Sequence, residues 1–159
     1  MLRRTPKFQR RGAAVVESAL VLGIFFVLLF GVFEYCRFLM VLHVTNNAAR
    51  ATCRYATVNV GNDDLTQAQI LSYIDDRMGG VDRNLVGYQR DIYPCTSEGL
   101  AMNPPQLVRK PNNPAWNQAS FTERIVVTIK GKYKPVTPFL LLLPDTIDIE
   151  INAVMGSEG

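Results

Sequence analysis

Hydrophobic and polar positions divide this chain into unlike parts. Residues 13–33, AAVVESALVLGIFFVLLFGVF, are apolar apart from Glu17 and Ser18. A transmembrane helix needs about 20 mostly apolar residues, so this run is long enough to cross a bilayer. Beyond Phe33 the pattern becomes helical and one-sided. Phe38, Val41, Leu42, Thr45, Ala48, Ala49, Thr52, Tyr55 and Ala56 recur at steps of three and four along one face, while His43, Asn47, Arg50, Arg54 and Thr57 fall on another. No strong breaker interrupts the chain between Gly12 and Gly61, so a single helix is predicted over about 14–58. It would project well out of the membrane.

The rest reads as a small mixed domain. GNDD at 61–64 predicts a turn with Asp64 as N-cap and Gln67 completing a capping box. A helix follows through Met78, with Leu65, Ile70, Leu71 and Ile74 inward, stopped by Gly79 and Gly80. Residues 84–93 predict a strand, and 94–120, rich in Pro, Asn and Ser, a long loop. TERIVVTIKGKYKPV and TIDIEINAVM alternate as strands. Between them TPFLLLLPD predicts a turn or short helix that seats Phe139–Leu143 in the core, or an exposed run resting on lipid or a partner. The predicted class is α+β. A long N-terminal helix, transmembrane then amphipathic, carries a small extracytoplasmic domain with an antiparallel sheet. Its parts are a basic leader at 1–12, a span at 13–33, the helix continuation at 34–58 and the domain at 59–159.

Charge sharpens the reading. The net charge of +3 is misleading, because Arg3, Arg4, Lys7, Arg10 and Arg11 precede the span without an acid. The remainder holds 12 basic against 14 acidic residues, so no nucleic-acid surface is expected. The basic flank places the N-terminus in the cytoplasm and the domain on the far side. A cleaved secretory signal fits poorly, since the apolar stretch is long and no small-x-small site follows it. Cys36, Cys53 and Cys95 lack zinc spacing. Outside the cytoplasm a disulfide is permitted. Cys53 with Cys95 is the candidate pair, and the alternative leaves all three free with Cys36 buried at the membrane boundary.

Candidate chemistry is sparse. His43 has no ligand partner at metal spacing, and no nucleophile, phosphate-loop or dinucleotide motif occurs. No enzyme, cofactor or metal is expected. Lys130, Lys132 and Lys134 form a solvated face or a basic edge that discourages pairing. Trp116 is a recognition residue or a packed loop residue. Glu17 is the exception, because a carboxylate within an apolar span costs a few kcal/mol at mid-membrane. Glu17 either reaches the headgroup zone or meets a cation. Cleavage after Gly12 would give Ala13 a new α-amino group, able to neutralise Glu17 of another subunit and set their stagger.

The segment RGAAVVE, with Gly12 and then Glu17 at the fifth position after it, resembles the signal of type IV prepilin-like proteins. More specifically, the first 60 residues resemble the TadE-like family of tight-adherence pilus proteins. The resemblance rests on that start, on Glu34 and Arg37 after the span, and on Asn47, Ala49, Arg50, Arg54, Tyr55 and Ala56 in the outer helix. INAVMGSE near the C-terminus is a looser match. The resemblance implies a minor pseudopilin of a Flp-type pilus, processed between Gly12 and Ala13 by a prepilin peptidase. Its implied partners are that peptidase, other pseudopilins and the pilin of the same apparatus, and the bacterial inner membrane. Glu34, Arg37, Arg50 and Arg54 become helix-interface candidates. The chain is much longer than the major Flp pilin and has Ser18 where that pilin has an aromatic, which argues against the main shaft subunit. The alternatives are a type II secretion pseudopilin and a membrane-anchored extracytoplasmic binding domain or enzyme.

Overall fold

A computed structural model describes residues 10–96, 106–112, 114–120, 123–137 and 144–156. One helix, α1, runs unbroken over Arg10–Val58. At 1.5 Å per residue it is about 74 Å long. Ser18 does not interrupt it, because its hydroxyl donates to the Ala14 carbonyl at 2.8 Å and so satisfies itself within the helix.

A second helix, α2 (Gln67–Met78), packs against the outer half of α1. Its N-cap is Thr66, not the expected Asp64: the Thr66 side chain accepts from the Gln69 N–H while the Gln69 side chain accepts from the Thr66 N–H. This frame buries Ile70, Ile74 and Met78 on successive turns, with Leu65 and Leu71 half-buried at the margin. Gly79 ends the helix with φ of 56°, a left-handed conformation that glycine adopts without a Cβ penalty.

Three strands complete the domain: β1 (Leu85–Cys95), β2 (Arg124–Tyr133) and β3 (Ile147–Gly156). They form an antiparallel sheet in the order β1-β2-β3. β1 runs past the expected end through Pro94, which is tolerated because β1 is an edge strand. β2 is central, which rules out the edge reading of its lysines. Lys130 instead pairs with Glu150 at 2.8 Å and Lys132 with Asp148 at 3.7 Å across to β3. The run Phe139–Leu143 lies outside the described residues.

The core lies between one face of the sheet and α1. Ile125, Val127 and Ile129 of β2 face the small residues Ala48, Ala49 and Ala56, all buried. Small side chains let the helix approach the sheet closely. Cys53 completes this seam, its thiol 3.3 Å from the Ile125 carbonyl and 3.6 Å from that of Ala153. Thr57, expected on the polar face, is buried and donates back to the Cys53 carbonyl at 2.8 Å. Tyr55 stacks on Tyr73 of α2 at 4.6 Å between ring centres. Trp116 sits in a short 3₁₀ turn, Trp116–Gln118, and is buried in the same core.

Candidate functional site

The residues singled out by sequence fall on three levels of α1. At its start Gly12, Ala13 and Glu17 are exposed. Among the described residues Glu17 has neither a hydrogen-bond nor an ion-pair partner, so its charge can be met only from outside them. From Gly12 to Leu28 every residue is exposed, and this is the one helix among the described residues long and apolar enough to cross a membrane.

The second level is where the domain begins. Glu34, one residue past the apolar run, is buried, with only 6% of its surface exposed. The Tyr133 hydroxyl donates to its Oε1 at 2.5 Å, and the Val136 N–H donates to Oε2 at 3.1 Å. Arg37, one turn on, lies 3.5 Å from the same carboxylate and donates to the Asn84 side chain at 2.8 Å. Its guanidinium also stands 5.3 Å from the centre of the Tyr133 ring, which Phe38 meets edge-on. Burial, reinforced by the Glu34 carboxylate, pushes the Tyr133 hydroxyl up to about 12. Glu34 and Arg37 therefore clasp the helix to the end of β2 and to the residue before β1. Within one chain they form an internal joint. The sequence marked both residues but not this joint, because Tyr133 and Val136 lie about a hundred positions away. A charged pair just after an apolar span was the only available signal.

At the third level His43, Asn47, Arg50 and Arg54 form an exposed stripe on the side of α1 away from the sheet. Among the described residues Arg50 and Arg54 have no ion-pair partner. The stripe is free to meet another helix.

The cysteines are all free. Cys53 and Cys95 are not joined: Cys53 points into the seam between α1 and the sheet, whereas Cys95 donates to the Thr96 carbonyl at the end of the edge strand. Each thiol is occupied by a carbonyl of its own surroundings. Burial pushes the Cys53 thiol up to about 11 and raises that of Cys95 as well. Cys36 is exposed on α1.

The outer sheet face holds a shallow polar depression of about 950 Å³ bordered by Asp91, Tyr93, Arg109, Lys130, Glu150 and Asn152. Within it Arg109 pairs with Asp91 and Lys130 with Glu150, while Arg90 at its margin pairs with Asp75 of α2. Trp116 takes no part in it. Among the described residues no three His, Cys, Asp or Glu side chains gather as a metal set.

These features define a class: a small α+β domain carried on one long helix whose first half is exposed and apolar. The segment that makes it so, residues 12–54, matches the family model described as TadE-like protein. The match falls wholly within α1. No curated protein and no solved structure matches the chain.

Proposed function

We propose that this protein is a minor pseudopilin that assists assembly or priming of a tight-adherence pilus. It is anchored in the bacterial inner membrane with its leader cytoplasmic and its domain periplasmic, and a prepilin peptidase cleaves it between Gly12 and Ala13. The observation carrying this reading is the coincidence of the TadE-like match, which starts at Gly12, with an exposed helical stretch that presents Glu17 without a partner among the described residues. A carboxylate in that position favours an incoming cation, and the new amine of a second subunit supplies one. Neutralising both charges together lowers the cost of holding either in lipid. The exposed Arg50–Arg54 stripe is then available to other subunits above the membrane. The binding-domain alternative has less support, because Trp116 is packed in the core.

Two substitutions test the reading. Gly12→Val should block maturation by denying the peptidase its small residue. Glu17→Ala should be cleaved normally yet fail in self-association or pilus assembly. Normal assembly by the Glu17→Ala protein would remove the role given to that carboxylate.

A further inference from the structure

The foot of the domain, where α1 enters it, presents a surface that water should not cover. A cleft of about 410 Å³ opens there, walled by Gly31, Tyr35 and Phe38 on the helix and by Tyr133, Pro135 and Ile147 on the sheet. Its lining is almost wholly apolar, and Glu34, the polar residue in its wall, already has its oxygens bonded to Tyr133 and Val136. Beside it Val136 is 68% exposed and Tyr35 62% exposed.

Position along α1 decides what meets this surface. Residues 13–33 rise about 31 Å, close to the hydrocarbon thickness of a bilayer. Gly31 then lies about 3 Å inside the hydrocarbon boundary. Pro135 and Ile147 line the same cleft as Gly31, so they lie at that boundary too. The chemistry suits the place. Exposed Tyr35 is an amphipathic aromatic of the kind favoured at membrane interfaces, and exposed Lys134 can lay its stem along apolar surface with its ammonium in water. Asp145 and Asp148 at the same end offset Lys132 and Lys134, so the surface favours no headgroup charge.

We infer that the foot of the domain is a phospholipid-contact surface, its cleft filled by an acyl chain of the leaflet from which α1 emerges. The inference rests on the reading of α1 as a membrane-crossing helix. The domain thus sits on the bilayer, and the Glu34 clasp fixes it at that height.

Tryptophan quenching in the full chain tests this. Leu28→Trp reports on the span, Val136→Trp on the foot, and Asp63→Trp on the exposed turn beyond the far end of α1, with buried Trp116 as a constant background. Each protein is reconstituted in phosphatidylcholine vesicles with and without bromine along one acyl chain. Leu28→Trp and Val136→Trp should both lose most of their added emission, and Asp63→Trp none. Quenching of Leu28→Trp but not Val136→Trp would overturn the foot contact and leave the crossing helix standing. A blue-shifted, unquenched Val136→Trp would mean that protein covers the foot, which also overturns it. No quenching at Leu28→Trp would overturn the crossing helix, and the lipid contact with it.

Discussion

Removing the Glu34 carboxylate should loosen the whole domain from its helix. Glu34→Ala deletes the acceptor for the Tyr133 hydroxyl and the Val136 N–H. Net hydrogen bonds to charged groups are worth about 1.5–3 kcal/mol each. The Val136 end belongs nearer the lower figure, since an exposed residue can recover a water. Arg37 adds less than about 1 kcal/mol, because its side chain is 30% exposed and solvent screens the pair. The sum is about 3–4 kcal/mol, which should lower the midpoint of thermal unfolding by roughly 10 °C for a cooperative unit of this size. Glu34→Gln retains one acceptor oxygen and should lose about half as much. Circular dichroism of the full chain in detergent gives the midpoints. Tyr133→Phe completes a double-mutant cycle whose coupling should reach about 1.5 kcal/mol. A Glu34→Ala midpoint within about 3 °C of the parent, or additive effects of the two substitutions, would refute the clasp.

The thiols should separate by reactivity: at pH 8 a maleimide should label exposed Cys36 at once and Cys53 only on unfolding, as mass spectrometry of the peptides would show. Cys53 is raised from its ordinary 9.0 to about 11, so the folded state holds this proton more tightly than the unfolded state. Its contribution is complete below pH 9 and is lost as pH rises toward 11, and Cys53→Ala should flatten that part of a urea-midpoint profile. Tyr133 acts in the same direction from 10.0 to about 12, so alkaline weakening should persist in the Cys53→Ala protein. Gly131→Ala should cost about 1–3 kcal/mol in the same denaturation assay, since the new methyl would lie 2.8 Å from the Leu85 Cβ in the neighbouring strand. An unchanged midpoint would show that β1 yields without strain.

Much of this architecture was legible in the pattern of residues, for reasons specific to each element. α1 was visible because its apolar run and its three-four stripe are contiguous, and the strands because Ile125–Ile129 and Ile147–Ile151 alternate. Local frames were harder to place. DDLTQAQ contains two overlapping cap frames, each with a glutamine three residues on, and the burial of Ile70, Ile74 and Met78 selects the later one. Thr57 looked polar, yet its hydroxyl satisfies itself on its own helix and leaves its methyl to pack. β2 looked capable of being an edge until pairing made it central. At the site, Glu17 announced itself by being out of keeping with an apolar helix, and Glu34 stood out only through the resemblance to TadE-like proteins. The joint that Glu34 makes did not, because its partners enter from the far end of the chain. Cys53 and Cys95 invited pairing by composition, but the fold sends one into the core seam and the other to the sheet edge.

The central claim is that this helix is a processed assembly element. Its most direct test is the N-terminal sequence and intact mass of the protein recovered from membranes that contain a prepilin peptidase, beside membranes that lack one. A start at Ala13 that depends on the peptidase is the expected result. A start at Met1 in both, with the peptidase shown active on another substrate, would contradict the claim and leave Glu17 without the amine that is proposed to meet it.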